Sequence, residues 1–463
     1  MSSRPPPLRD PEPLTPPDYP LHTGEPLLRE LDPTEWNMER LNRVSNGAGC
    51  VYQLVRGRGP LRVDDFRASV GVLTERHPLL GARIVRMGDD ARSPLAYVRG
   101  TEGPAIAVVR TQGLDTSCRA IIEADMNAGP SPCWRTSPFR IALIEDTEVR
   151  DAWALIVAGP HAHCDGISLA GIAHELLALL GGDQLGPPLP LASIHVPHAT
   201  ASMSDGDATP PVSPRMVAPE EKVPGTPERA SVVRTGLLEA TLDREATASL
   251  IDAVKSHGIT VHGAIGAAVH LAHAERHAKV TGDDAFGTYR AGTPVSMRPH
   301  LDPPLSSADL RMAVDVALTD TRVGPEDTFW QLASRFGGAI REQIRTGAIL
   351  QSWNRTERKD RHAGSTGVPL LLISNVGRSE IRPRYGDLEI HAVAGSMATH
   401  GMFQINMLFT TFDGRLGGTF YFEEPTVSRE SMRAFVERVV RILGGPKVHD
   451  GDPTVAELLR APV

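Results

Sequence analysis

The sequence predicts an α+β protein made of two halves, and three observations lead to this fold class. Segments with the spacing of strands and of helices alternate along most of the 463 residues. A turn-rich stretch, 204–230, holds too few large apolar residues to form a packed core. The segments after this stretch repeat the order of strand and helix found before it. We therefore place a first domain at 27–203, a linker at 204–230 and a second domain at 231–463, each near the usual domain size.

The first domain begins after a proline-rich tail. Residues 1–26 show no hydrophobic period and are rich in proline, which is typical of a disordered or polyproline-like segment. The apolar pattern of Gly49–Arg56 predicts a strand, and that of Val63–His77 predicts a helix with acidic residues in its first turn. Pro78 ends this helix, because proline has no backbone N–H to continue the hydrogen bonds. A further strand begins at Ala82.

The second domain shows similar elements. An alternating apolar pattern predicts a strand at Val232–Leu242, and Asp243 caps a predicted helix that continues through Ser256. Small residues dominate a predicted helix at Gly263–His277, which permits close helix packing. Two late strands and an amphipathic terminal helix complete the predicted order, at 399–413, 417–422 and Ser428–Leu443.

The composition limits the kinds of protein that this chain can be. Its formal net charge of −8 is spread along the chain, whereas nucleic-acid binding requires a clustered basic surface. No apolar run is long enough to span a membrane, and the N-terminal residues lack the apolar core of a signal peptide. The four cysteines are widely spaced and match neither a metal site nor a disulfide framework. We expect a soluble cytoplasmic protein that binds no nucleic acid.

A candidate active site lies in the turn between a strand and a helix. The apolar run Ala152–Ala158 predicts a buried strand, and Ile167–Leu180 has the pattern of a helix. His161 lies between them, where a neutral imidazole can act as a general base. Gly166 permits a tight turn, and the N–H groups at the start of the helix can stabilise a developing negative charge. The other interpretation is that His161 is a hydrogen-bonded histidine of the core.

Two neighbours of His161 suggest other chemistry. His161 and His163 have a spacing that can hold zinc, but only Asp165 and His174 lie nearby as further ligands, and we expect no metal. In an extended segment His163 would face the same way as His161 and could line a substrate tunnel, or else it packs in the core. Cys164 could form a covalent acyl-enzyme, although a cysteine beside a turn glycine is more often a small filling residue.

His161, Asp165 and Gly166 form the pattern H-x-x-x-D-G after a buried strand and before a helix. With this placement the chain resembles the HxxxDG acyltransferase superfamily, which includes chloramphenicol acetyltransferase-like and condensation-domain-like proteins. It looks most like polyketide-associated acyltransferases of the phthiocerol dimycocerosyl transferase type. Further segments resemble family motifs and occur in the family's order: Leu73–Leu80, Trp134–Ile144, Gly258–Leu271, Gly292–Arg298 and Ser374–Gly377.

The resemblance implies a fold and an activity. The fold would be a pseudo-dimer of two chloramphenicol acetyltransferase-like subdomains, each an α/β sandwich, with a tunnel between them, so that a monomer suffices. His161 would take a proton from the acceptor as the acceptor attacks a thioester carbonyl. The donor would be an acyl-coenzyme A or an acyl carrier protein thioester, the acceptor a small molecule with a hydroxyl or an amine, and no further cofactor is implied. An ester product is favoured, in secondary metabolite or lipid biosynthesis.

The resemblance also assigns roles to residues around His161. Asp165 would pair with Arg298 and support the site instead of reacting, and Gly166 would shape the turn. Further candidates for the tunnel wall or for an oxyanion hydrogen bond are His163, Ser374, Asn375 and Thr399.

The sequence departs from the family pattern at three points. Pro160 occupies the position where many relatives carry a first histidine, the DFGWG motif of several branches is absent, and no carrier-protein or adenylation segment is attached. Other functions therefore stay open. The chain could be a free-standing condensation enzyme that forms an amide, a catalytically silent domain that recruits a partner, or a soluble two-domain α+β protein of unknown role.

Overall fold

The computed structural model describes residues 8, 18–45, 47, 49–90, 92–189, 191, 234–349, 371–398, 404–424 and 426–460. The chain divides into two compact units. The first comprises Met1–His195, Arg298–Ala313 and Val376–Gly401, and the second comprises Val196–Met297, Val314–Asn375 and Met402–Val463. In the described residues each unit contains a six-stranded mixed sheet together with helices. The predicted fold class, two sheet-rich α/β halves, is confirmed, while the tunnel stays a prediction.

The first unit is built on a sheet whose described strands lie in the spatial order β12 (Arg384–Tyr385), β13 (Leu388–Met397), β2 (Cys50–Arg58), β7 (Ala152–Pro160), β6 (Arg140–Asp146) and β5 (Ala105–Thr111). A smaller sheet consists of β1 (Leu27–Glu30), β4 (Leu95–Arg99) and β3 (Ala82–Arg86). The helices of this unit are α1 (Pro33–Val44), α2 (Val63–Arg76), α3 (Leu114–Met126) and α4 (Gly166–Leu180).

The second unit has a sheet whose described strands lie in the order β10 (Val314–Val323), β9 (Gly287–Ser296), β11 (Leu371–Arg378), β14 (Ile405–Phe412), β15 (Arg415–Glu424) and β8 (Arg234–Leu242). Its helices are α5 (Arg244–Ser256), α6 (Val261–Thr281), α7 (Phe329–Arg345), α8 (Arg429–Leu443), α9 (Pro446–His449) and α10 (Val455–Arg460). Within the described part of the chain, no helix combines the length and apolarity needed to cross a membrane.

Strand β7 places the candidate site at its end because its sequence is apolar on both faces. It pairs antiparallel with β2 on one side and with β6 on the other. Leu155, Ile156 and Val157 are fully buried. Burial of each such side chain contributes about 1.5–3 kcal/mol. The strand is therefore firmly anchored up to its last residue, Pro160, directly before His161.

The structure corrects the predicted domain boundaries. Arg298–Ala313 and Val376–Gly401, which the sequence analysis placed in the second domain, lie in the first unit. The predicted linker at 204–230 lies outside the described residues. A single sequence does not show that these two segments belong to the first unit, because their placement depends on contacts between residues far apart in the chain.

The predicted tail at 1–26 extends too far. Tyr19 donates a hydrogen bond to Glu39 at 2.7 Å, and the carbonyl oxygen of Pro20 accepts one from the backbone N–H of Arg86 at 2.9 Å. These contacts attach 18–26 to the first unit. The proline-rich sequence did not predict these contacts, because a few hydrogen-bonding residues do not produce a hydrophobic period.

Helix α1 is one of several elements without a prediction from the sequence, together with α3 and α7. Its start carries a capping box, in which the carboxylate of Asp32 accepts from the backbone N–H of Glu35 and the side chain of Glu35 accepts from that of Asp32. This signal, an acidic residue followed three positions later by glutamate, was present in the sequence. The predicted strand at 399–413 begins at Ile405 in the described residues, since 399–403 lie outside them.

Candidate active site

The H-x-x-x-D-G segment forms a tight turn that joins β7 to α4. The backbone N–H of His161 donates to the carbonyl oxygen of Gly49 at 2.6 Å, and that of His163 donates to the carbonyl oxygen of Pro160 at 2.9 Å. Asp165 caps α4, because its side chain accepts a hydrogen bond from the backbone N–H of Ser168 at 2.8 Å. The turn is therefore held by β2 on one side and by the helix start on the other.

The imidazole of His161 is oriented by its own turn. Its Nδ1 lies 2.8 Å from the carbonyl oxygen of Cys164. A carbonyl oxygen only accepts hydrogen bonds, so Nδ1 must carry the hydrogen, and in the neutral ring Nε2 then holds the free electron pair. Burial lowers the pKa of His161 below its usual value of 6.5, and the negative charge of Asp165 offsets part of that effect. The ring is therefore neutral at physiological pH and has the tautomer of a base acting through Nε2.

Asp165 points to Arg298 and not to the imidazole. The guanidinium of Arg298 lies 3.0 Å from both carboxylate oxygens of Asp165, and the backbone N–H of Ala313 donates to the same carboxylate at 3.2 Å. Both side chains of this ion pair are buried, with 1% and 4% exposure. The carboxylate of Asp165 is thus occupied by Arg298 and by the backbone. Nδ1 of His161 donates instead to the backbone carbonyl of Cys164.

Arg298 also organises the segment that follows it. Besides Asp165, its N–H groups donate to the carbonyl oxygens of Ser306, Asp309 and Arg311. A planar guanidinium with five donors suits this arrangement, since lysine would satisfy only part of it. The segment Arg298–Ala313 is therefore folded around the buried carboxylate of the motif, which places Arg298 in the support of the turn.

His163 lies in the core. It is fully buried between the rings of Tyr97 and Phe139, with centroid distances of 4.7 Å and 5.7 Å and edge-to-face geometry. Burial lowers its pKa to about 3, and neither ring nitrogen has a hydrogen-bond partner among the described residues. This position favours the packing interpretation over a place in the tunnel wall.

Cys164 and Pro160 have structural surroundings as well. Burial raises the pKa of the Cys164 thiol well above its usual value, so this thiol stays protonated, unlike a nucleophilic cysteine. Its Sγ lies 3.4 Å from the carbonyl oxygen of Pro160. Pro160 is the last residue of β7 and lies opposite Cys50 of β2. The residue that replaces the first family histidine therefore belongs to the sheet.

Comparison with known proteins gives a family match for the part of the chain that follows the H-x-x-x-D-G turn. Residues 231–417 match the family model of the phthiocerol/phthiodiolone dimycocerosyl transferase C-terminus. The resemblance to the HxxxDG acyltransferase superfamily is confirmed. No curated protein sequence matches the chain directly.

Solved structures share the fold of this chain over nearly its whole length. The first condensation domain of the CDA synthetase is 17% identical with a TM-score of 0.66, covering 93% of this chain and 98% of its own. Polyketide synthase associated protein 5 from Mycobacterium tuberculosis is 16% identical with a TM-score of 0.61, covering 91% and 99%. Trichothecene 15-O-acetyltransferase from Fusarium sporotrichioides is 14% identical with a TM-score of 0.65, covering 90% and 94%. Identities this low show the fold alone.

The remaining predicted residues lie in β11 or outside the described residues. Ser374 and Asn375 lie in β11, in the part assigned to the second unit, and Ser374 is 9% exposed. Gly377 follows in the same strand with a φ of +76°, a backbone conformation that favours glycine. Thr399 lies outside the described residues. A tunnel or oxyanion role for these residues stays a prediction.

Residues from the N-terminal part of the chain, which no sequence pattern assigned to the site, also surround the turn. Gly49 accepts the hydrogen bond of the His161 backbone, and Tyr97 donates its hydroxyl to the carbonyl oxygen of Ala162 at 2.7 Å. Glu35 and Arg29 form a buried ion pair beside Tyr97. Only the capping box that contains Glu35 gave a sequence signal for any of them.

Proposed function

We propose that this protein transfers an acyl group from a thioester of coenzyme A or of an acyl carrier protein to a hydroxyl group of a small molecule, with His161 as the general base. The thioester is a co-substrate, and the reaction requires no further cofactor. The family match and the fold support acyl transfer in general. The ester product, the thioester donor and the role of His161 as the base go beyond this general support and are our proposal.

One observation carries the proposal. The hydrogen bond from Nδ1 of His161 to the carbonyl oxygen of Cys164 keeps the free electron pair on Nε2. A lowered pKa keeps that pair unprotonated near neutral pH. A general base needs both properties, and such a base contributes about 100-fold to 10,000-fold in rate.

The reaction is balanced as a single proton cycle. The acceptor oxygen forms a bond to the thioester carbonyl carbon while its proton moves to Nε2 of His161. The carbon–sulfur bond then breaks, and the leaving thiolate takes that proton. The products are an ester and a free thiol, and His161 returns to its neutral form without a covalent acyl-enzyme. The protonated thiol of Cys164 is consistent with this direct route.

The test measures thiol release with a panel of acyl-coenzyme A donors and with acylated carrier protein, each with small alcohols or amines as acceptors. Wild type is compared with His161→Ala and with His391→Ala, a matched control because His391 is an exposed histidine of β13. We expect thiol release and an ester product in wild type and in His391→Ala, and a loss of at least about 100-fold in His161→Ala.

Other outcomes would contradict specific parts of the proposal. An amide as the only product would replace the hydroxyl acceptor with an amine. Equal rates in wild type and His161→Ala would remove the general base. No release from any donor would favour the catalytically silent, partner-recruiting domain.

A further inference from the structure

Tyr97 contacts the backbone and the side chain of the two residues that follow His161. Its hydroxyl donates to the carbonyl oxygen of Ala162 at 2.7 Å. Its ring meets that of His163 edge-to-face, with centroids 4.7 Å apart at an angle of 67°. Tyr97 lies in β4 and is fully buried. One side chain from the small sheet therefore holds the start of the turn.

Tyr97 is in turn held by a buried ion pair. The guanidinium of Arg29 lies 4.9 Å from the centroid of the Tyr97 ring. Arg29 binds Glu35 through two hydrogen bonds of 2.6 Å. Burial raises the pKa of Glu35, but the charge and hydrogen bonds of Arg29, the charge of Arg311 and the backbone N–H of Asp32 together lower it below its usual value, so Glu35 is a carboxylate. The position of the tyrosine ring is thus coupled to the start of α1.

The same cluster reaches the other end of the turn. The guanidinium of Arg311 lies 3.2 Å from Asp32 and 3.9 Å from Glu35. The carbonyl oxygen of Arg311 accepts a hydrogen bond of 2.9 Å from Arg298, which binds Asp165. All these residues belong to the first unit. A continuous set of contacts therefore runs from Ala162 through Tyr97 to Asp165. Ala162 and Asp165 flank Cys164, whose carbonyl oxygen accepts the hydrogen bond from the His161 imidazole.

We propose that Tyr97 is a positioning residue for His161, which holds the turn so that Nδ1 of the imidazole stays bonded to Cys164 and Nε2 stays free. Tyr97 does not touch the reacting atoms and is not a catalytic residue. The inference deepens the proposed function and rests on it only for the consequence in rate. Ala162 and Cys164 are two residues apart in one short turn. Loss of the hydrogen bond from Tyr97 to the Ala162 carbonyl should therefore let the Cys164 carbonyl move, and this carbonyl is the acceptor for Nδ1 of His161. Small errors in the placement of a catalytic group cost much of the rate.

The test compares Tyr97→Phe with Tyr289→Phe. Tyr289 is a matched control, because it is also fully buried and donates its hydroxyl to a backbone carbonyl, that of Ala285 at 2.9 Å, in the second unit. The first measurement is the ¹⁵N NMR spectrum of labelled histidine rings, with the His161 signals assigned from their loss in His161→Ala. The second is kcat and KM with the donor found above.

We expect the His161 ring of wild type and of Tyr289→Phe to carry its hydrogen on Nδ1. In Tyr97→Phe the ring signals should shift towards a mixture of the two tautomers, and kcat should fall about 10-fold while KM changes less than about twofold. Arg29→Lys keeps the positive charge but loses the paired hydrogen bonds to Glu35, so it should shift the tautomer in the same direction to a smaller extent. This variant replaces Tyr97→Phe if the latter does not fold.

The outcomes separate this inference from the proposed function. An unchanged His161 tautomer in both Tyr97→Phe and Arg29→Lys would overturn the positioning role whatever the activity. A tautomer shift confined to these variants supports it, even if wild type transfers no acyl group and the proposed function fails. A shift of equal size in Tyr289→Phe would also overturn it, because the effect would then be general to buried tyrosines.

Discussion

Arg298 binds both carboxylate oxygens of Asp165 at 3.0 Å inside the first unit, with both side chains almost completely buried. Removal of one member would leave the other charge buried without its partner, at a cost of about 3–5 kcal/mol. We expect Asp165→Ala and Arg298→Ala each to lower the free energy of unfolding by about this amount and to reduce the yield of folded protein.

Urea denaturation measures this effect, and the ion pair of Arg290 and Asp320 provides the control. That pair is also bidentate, at 2.7 Å, but its side chains are 23% and 33% exposed. Arg290→Ala should cost about 1 kcal/mol or less. Equal losses for Arg290→Ala and Arg298→Ala would contradict the assignment of a structural role to the buried pair.

The pH dependence of the reaction should follow the imidazole of His161. Burial lowers its pKa below 6.5, and a general base is active in its neutral form. The value of kcat/KM should therefore be constant from about pH 7 to 8 and should fall only as the pH drops below 6.5. A profile of kcat/KM against pH with a single donor measures this fall on the acid side. An activity loss that begins above pH 6.5 would mean that a different group, or a His161 with a raised pKa, controls the rate.

Gly49 should be required for activity more than for stability. Its φ of +84° disfavours any residue with a side chain, and an added Cβ would lie 3.4 Å from Met38 and 3.7 Å from His161. Gly49→Ala should cost about 1–2 kcal/mol of stability. The backbone adjustment should also disturb the 2.6 Å hydrogen bond to His161 and lower kcat.

Gly113→Ala is the control for this substitution. Gly113 has a φ of +67° and nothing within 4 Å of an added Cβ, so its strain is similar but is remote from the turn. Thermal denaturation and kcat of both variants separate the two effects. Equal kcat values would show that Gly49 does not affect the position of His161.

The second unit should lose stability in mild acid because of histidines buried in α6. Burial lowers the pKa of His270 to about 4 and that of His273 well below 6.5. These histidines bind protons in the unfolded chain at a higher pH than in the folded protein. The free energy of unfolding is therefore highest above pH 6.5. It declines as the pH falls from 6.5 to about 4, and His270 contributes about 3 kcal/mol to this decline.

His270→Leu should flatten this dependence, because leucine takes no proton. Urea denaturation from pH 7 down to about pH 4.5 follows the change, and the exposed His391→Leu serves as the control. A slope that is the same in wild type and His270→Leu would assign the acid sensitivity to other groups.

Local sequence patterns predicted several elements of the fold well. The helix predicted at Val63–His77 is α2, Val63–Arg76, and the terminal helix predicted at Ser428–Leu443 is α8 with Ser428 as its cap. These elements depend on residues within a few positions of one another, such as caps and the apolar period. Helix α1 was not predicted, although its capping box of Asp32 and Glu35 is a local feature of the same kind.

The candidate site was predictable only in part. The turn with His161 followed from a buried strand and a helix start, whereas the pairing of Asp165 with Arg298 came from the family resemblance. These two residues are 133 positions apart, and Asp32 and Arg311 are 279 apart. No spacing rule joins residues at such distances.

The sequence by itself determined that a buried apolar strand delivers His161 to a turn followed by a helix, since these features depend on the local period of apolar residues. The tertiary structure alone decided that His163 packs between Tyr97 and Phe139 and that Arg298–Ala313 joins the first unit. The physical reason is that these contacts form only when distant segments meet in the folded chain, where burial and fixed hydrogen-bond geometry select one arrangement.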